Sequence, residues 1–119
     1  MLKDLIVNLT PARSQDPAAD YAVSLAATFG AHLTAAAFAL EPAIRASVMG
    51  GVAGDVIDRA IAESQQQANE AVARFEAVAK KQGILSEHQI ATMLLADAAN
   101  RFGQLARRFD LSVVLQPQP

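Results

Sequence analysis

The chain has 119 residues, 52% of them hydrophobic and only 18% charged. That length suits one domain with one core, and the thin charge leaves surface that a partner could cover. Ten Lys and Arg against twelve Asp and Glu leave a formal charge of −2, which gives nucleic acid no basic footprint, and the absence of cysteine excludes disulfides and thiolate metal sites.

Met1 to Val7 is a short apolar run followed by turn residues, neither a signal peptide nor a membrane span, so a cytoplasmic protein is expected. Leu5 to Leu9 is β-branched, mostly apolar and closed by Thr10-Pro11, the pattern of a strand buried on both faces. Asp16-Pro17 then predicts a helix start: Asp accepts from the unpaired amides of a first turn, and Pro is pre-set for the first helical position. The apolar stripe Ala18, Ala22, Leu25, Ala26 and Phe29 follows at helical spacing, with Gly30 as C-terminal cap.

Ala31 to Leu40 carries no polar face. Its alanines would permit helix, but its place after a capped helix predicts a second buried strand. Glu41 to Gly54, with Pro42, Val48, Met49, Gly50 and Gly51, reads as a flexible connection, a flap over a ligand being the functional alternative. Asp55 is expected to open a long helix with the stripe Ile57, Ile61, Ser64, Ala68, Ala71, Val72, Phe75, Val78 and Ala79, a Glu70 to Arg74 pair outside it, and Gly83 at its end. Ile84 to Leu94 holds a third strand, convincing from Ile90 onward because Ser86, Glu87 and His88 make its start polar. Asp97 is expected to cap a last helix presenting Ala98, Phe102, Leu105, Ala106 and Phe109, and Leu111 to Leu115 to form a fourth strand. Phe29, Phe75, Phe102 and Phe109 are assigned to the core.

The order βαβαβαβ implies an α/β fold: an open parallel sheet, Rossmann-like, with right-handed crossovers and helices on both faces. Ligands of such sheets bind beyond the carboxyl ends of the strands where the strand order reverses, which singles out Thr10 to Asp16, Glu41 to Gly54, Met93 to Asp97 and whatever follows Leu115.

Most polar clusters have bland explanations. Thr10, Arg13, Ser14 and Gln15 stand ahead of a helix N-terminus and could hold an anion, but a solvated turn capped by Asp16 explains the same residues. Asp55, Asp58 and Glu63 offset the dipole at a helix start, and Arg107 and Arg108 do so at a helix end. His32 and His88 have no carboxylate or nucleophile partner fixed by spacing and are given no role; no metal site and no catalytic residue is expected. The chain is therefore expected not to be an enzyme. A P-loop or hydrolase loop after the first strand, or the phospho-acceptor Asp of a receiver domain, would have to stand where the sequence has Asn8-Leu9-Thr10-Pro11.

The succession of a first strand ending in a turn, a capped alanine-rich helix, a second strand ending in Glu41-Pro42, a glycine-bearing loop, a long helix and the closing run Ala106-Arg107-Arg108-Phe109-Asp110-Leu111-Ser112-Val113-Val114 resembles the universal stress protein family. The resemblance covers nearly the whole chain through degenerate motifs. It implies an adenine nucleotide alpha hydrolase-like sheet with the last helix and strand missing, a role in stress adaptation, a homo-oligomer, expected to be a dimer, and a cleft for ATP or AMP. The nucleotide-binding positions it implies are Thr10, Arg13, Ala39, Leu115 and Gln118. The sequence departs from the family's pattern at three of them. Thr10 stands at the acidic position after the first strand, and Leu115 and Gln118 replace the two glycines of the phosphate turn, where a side chain obstructs the approach of backbone amides to phosphates.

The expectation is a binding or interaction module without family-type ATP binding and without a cofactor. The alternative is an ATP-binding domain whose phosphate loop lies beyond Pro119. The fourth strand would be an apolar edge with unpaired backbone groups, which leads to the further expectation that the chain is a piece of a longer protein or half of a tandem pair, a second covering chain being the other solution.

Overall fold

In a computed structural model the order is β1 (Asp4–Asn8), α1 (Pro17–Phe29), β2 (His32–Leu40), α2 (Ala53–Lys81), β3 (Ser86–Met93), α3 (Leu95–Ala106) and β4 (Leu111–Val113). The structure describes residues 3–11, 13, 15–41 and 53–115. The strands form one all-parallel sheet in the order β3-β2-β1-β4, so the chain steps outward from β1 through β2 to β3 and then crosses back to β4. The expected α/β Rossmann-like class is what forms.

α1 and α2 cover one face of the sheet and α3 the other, as right-handed crossovers require when the direction of travel reverses after β3. Strand alternation sorts the side chains between them. Leu5, Val7, Leu33, Ala35, Ala37 and Ala39 join Val23, Val72 and Phe75 in the larger core. Ile6, Ala36 and Phe38 join Ala98 and Phe102 in the smaller one. β2 lies between two strands and under helices on both faces, and its residues Leu33 to Ala39 are all buried. Its four central alanine positions bring the helices close to the sheet; β-branched residues there would push them away.

The predicted punctuation of α1 holds. Asp16 accepts from the Ala19 amide, Pro17 is the first helical residue, and Gly30 ends the helix at φ 62°, where the Ala31 amide reaches back to the Ala26 carbonyl at 2.9 Å. Gly83 closes α2 in the same left-handed conformation, φ 71°.

Several expectations are corrected. Phe29 is 51% exposed rather than core: its azimuth on α1 lies between those of the buried Ala18 and Ala22, and it differs from them in being the last residue of the helix. α2 begins at Ala53, so Gly54 is helical rather than part of the connection, while Pro42, Val48, Met49, Gly50 and Gly51 lie outside the described residues. Of the apolar stripe of α2, Ala68, Ala71, Val72, Phe75 and Ala79 are buried and Val78 is exposed; Ile57 and Ile61 are only half-buried, since a 29-residue helix of about 44 Å outreaches strands of nine residues or fewer. Arg74 does not serve a Glu70 pair but donates to the Arg13 carbonyl at 3.0 Å, and Glu70 accepts from Gln66 at 3.2 Å.

β3 extends back to Ser86 despite its polar start. It is an edge strand, its backbone pairs with β2 from Leu33↔Ser86 to Leu40↔Met93, and its polar side chains stay solvated. Packing also gives the histidines carboxylate neighbours that spacing could not reveal: His88 Nδ1 lies 2.6 Å from Glu76 Oε1 on α2, and His32 Nδ1 lies 3.6 Å from Asp4 Oδ1 on β1. α3 starts at Leu95, with Leu94 in the capping position and no side-chain cap bond; Asp97 sits in the first turn, where its charge still faces the helix amides favourably. β4 is shorter than expected and ends at Val113.

The Asp110-Leu111 pair that carried part of the resemblance has a physical role. The Asp110 carboxylate accepts the backbone amides of Lys3 at 2.8 Å and Asp4 at 3.0 Å, and its own amide donates to the Asp4 carbonyl at 2.8 Å, so one residue aligns the starts of β4 and β1. The Lys3 amide above all, then that of Asp4, holds the Asp110 carboxyl below its ordinary value of 3.8. A carboxylate with a lowered folded pKa adds stability that is complete above the ordinary value and is lost as pH falls through the lower, folded one. Asp110→Asn should therefore flatten the fall in stability between about pH 5 and about pH 2, measured by urea unfolding across that range. An equally steep fall in the variant would mean that the two amide bonds add nothing to folding.

Candidate functional site

The strand order reverses between β1 and β4, so the crevice of interest lies outside the carboxyl ends of these two strands. Thr10 follows β1 there. The β1–β4 register Val7↔Val113, carried two residues further, sets Leu115 beside Leu9. Ala39 stands one residue before the end of β2, buried on the face of α1 and α2. The topology thus brings Thr10, Ala39 and Leu115 to one end of the sheet, with Arg13 on the adjoining loop. Gln118 and Ser14 lie outside the described residues.

The loop after β1 is closed by its own hydrogen bonds. Asp16 Oδ2 accepts the Thr10 amide at 2.7 Å while Oδ1 accepts the Ala19 amide at 3.4 Å. The Arg13 amide donates to the Thr10 carbonyl at 3.1 Å, and Arg13 Nε donates to the Gln15 carbonyl at 3.3 Å. Arg74 of α2 then ties the Arg13 carbonyl to the neighbouring helix. A carboxylate of the chain itself therefore occupies the N-terminus of α1, the place where backbone amides and helix dipole would otherwise favour an external anion. Leu115 packs against the larger core, so its side chain fills space that a glycine would leave open.

A groove of about 460 Å³ opens between α1 and α2 above Leu9. Its floor is Leu9, Val23, Ala71 and Phe75; Asp16 and Asp20 stand on the α1 wall and Arg74 on the α2 wall. Two carboxylates against one guanidinium make it a poor cradle for phosphate. Sequence reasoning did not find this groove, because its walls are some fifty residues apart and nothing in the spacing of either helix links Arg74 to Arg13.

Arg107 caps the end of α3 and Arg108 follows it, both exposed, in keeping with a helix-end role. Asp58 and Glu63 are exposed on α2; with the helix starting at Ala53, Glu63 lies about three turns in, beyond the reach of the dipole role expected for it. Among the described residues, no three His, Asp or Glu side chains converge as a metal site, and no helix is long and apolar enough to cross a membrane.

No protein-family model matches the sequence, and no curated protein matches it. Solved structures do match in fold. The universal stress protein UspA from Lactobacillus plantarum superposes with a TM-score of 0.63 at 19% identity, over 95% of this chain and 76% of that one. A protein of the universal stress protein family from Burkholderia pseudomallei gives 0.62 at 21% identity, over 97% and 82%. A universal stress protein in complex with cAMP gives 0.53 at 15% identity, over 98% and 99%. The fold is that of a UspA-like domain.

The Asp16 carboxylate is the keystone of the loop, so Asp16→Ala should lower unfolding stability by about 1–2 kcal/mol through loss of the helix cap. Chemical denaturation measures this, and a change below about 0.3 kcal/mol would show that solvent serves Thr10 and Ala19 equally well.

Proposed function

We propose that the chain is a non-catalytic binding and interaction module of the universal stress type, acting as a homodimer in stress adaptation and taking no ATP in the manner of that family. The observation that carries this reading is the double acceptance by Asp16, which spends the Thr10 amide and an α1 first-turn amide on an internal carboxylate. An incoming phosphate would have to displace that carboxylate or face its charge at close range. Thr10 supplies no acid for the adenine side, and Leu115 supplies a core side chain where the phosphate turn would need bare backbone. The low charge content and the apolar residues left on the surface support an interaction role.

A second reading, an adenine nucleotide in the crevice outside β1 and β4, is favoured by the likeness in fold to the universal stress protein in complex with cAMP, which runs the length of both chains. Calorimetric titration separates the two. Purified protein titrated with ATP and magnesium, and separately with cAMP, should give no binding heat up to about 1 mM ligand. A Kd near 1 μM for either nucleotide would replace the first reading with the second.

A further inference from the structure

The groove of about 460 Å³ between α1 and α2 lies within the range of about 300–1,000 Å³ in which proteins hold small molecules. Its floor of Leu9, Val23, Ala71 and Phe75 is apolar throughout, and Val78 beside it is 36% exposed, so an apolar body has surface to cover there. Three charges stand around that floor, and the fold uses them differently. Asp16 has both carboxylate oxygens engaged by the Thr10 and Ala19 amides. Arg74 gives one N–H to the Arg13 carbonyl at 3.0 Å, and its other donors take no partner among the described residues. Asp20 lies one turn after Asp16 on the same wall and is exposed. Its carboxylate has no partner among the described residues, and no ion pair joins it to Arg74, since every ion pair among them involves His32 or His88.

We infer that this groove binds an apolar dipeptide with both termini free, its ammonium at Asp20, its carboxylate at Arg74 and its two side chains on the floor between them. The site goes beyond the role proposed above and stands whether or not a nucleotide occupies the crevice outside β1 and β4. Charge complementarity selects the occupant. One uncommitted charge of each sign, held apart across an apolar floor, is the complement of a zwitterion with an apolar body. A simple amine would meet Asp20 but face the Arg74 charge, and an apolar acid would meet Arg74 but face Asp16 and Asp20. The guanidinium adds geometry, because its parallel N–H donors match the two oxygens of a carboxylate. Dimensions then set the length. Ala71 to Val78 runs about 10 Å along α2, and two residues of extended chain span about 7 Å, so the termini reach the walls while both side chains stay over the floor. A single amino acid carries both charges on one carbon and would leave most of that floor to water. Asp20 and Arg74 are exposed, so water weakens both charge contacts. A ligand of roughly twenty heavy atoms is therefore expected to bind with a Kd on the order of 0.1 mM.

The test titrates leucyl-phenylalanine into the isotope-labelled full chain and follows the backbone amide shifts by NMR. Saturable shifts centred on Val23, Ala71 and Phe75, with a Kd on the order of 0.1 mM, are expected. The N-acetylated peptide, which lacks the ammonium, and the C-terminal amide, which lacks the carboxylate, should each bind about 5-fold more weakly. Asp20→Asn should weaken the free dipeptide by a similar factor and bind it and the N-acetylated form alike, whereas Arg74→Gln should bind it and the amide alike. This pairing of each variant with one end of the ligand reads a contact between named groups, which a merely structural role would not produce. The absence of shifts up to about 5 mM dipeptide overturns the inference. So do shifts centred outside the groove, and so does binding indifferent to either blocking group. Thermal unfolding checks that both variants are folded. Should Arg74→Gln fail to fold through loss of its bond to the Arg13 carbonyl, the blocked peptides and Asp20→Asn decide by the same criteria.

Discussion

The backbone of β2 is the constraint on which the structure depends. Seven consecutive residues, Leu33 to Ala39, are removed from water on both faces, and their amides and carbonyls can be satisfied only by strands on either side. β1 and β3 are those strands, paired in register along almost the whole length of β2. Burial on both faces requires helices above and below, and parallel pairing requires each connection to cross the sheet through one of them. The alternation of elements along the chain is the consequence. The same strand explains the alanine-rich composition: small side chains at the centre of the sheet let Val23, Val72 and Phe75 on one face, and Phe102 on the other, reach the strand surface.

Two carboxylates fasten the ends of this frame. Asp110 aligns the amino ends of β1 and β4 through the amides of Lys3 and Asp4, and Asp16 fastens the carboxyl end of β1 to the start of α1. Both use a side chain to satisfy backbone donors that no ladder or helix reaches. The second has a functional consequence, since the stronger an internal carboxylate holds those amides, the less the loop offers to an external anion.

The fold also leaves apolar surface in particular places. Phe29 shares the helical stripe of the buried Ala18, Ala22 and Ala26 and differs from them in standing at the last residue of α1, where it is exposed. Tyr21 and Phe29 are the aromatic pair among the apolar residues left exposed on α1.

Local chemistry in the sequence determined the elements and their punctuation. Asp16-Pro17 and Gly30 bounded α1, period-two and period-3.6 patterns separated strand from helix, and alternation of the two implied a parallel sheet, all through interactions between residues a few positions apart. The nucleotide positions implied by resemblance were legible as departures, Thr10 for an acid and Leu115 for a glycine. What tertiary structure alone decided is what depends on distant residues meeting. Pairing with β2 made Ser86 to Gln89 strand in spite of their polarity. The reach of Arg74 to the Arg13 carbonyl displaced the expected Glu70 pair, the approach of α2 to β3 gave His88 its carboxylate, cross-strand approach gave His32 one, and Phe29 at the end of α1 was left exposed. Sequence fixes which side chains share a face of an element, because that follows from backbone period; which face is covered, and by what, follows from how the elements pack.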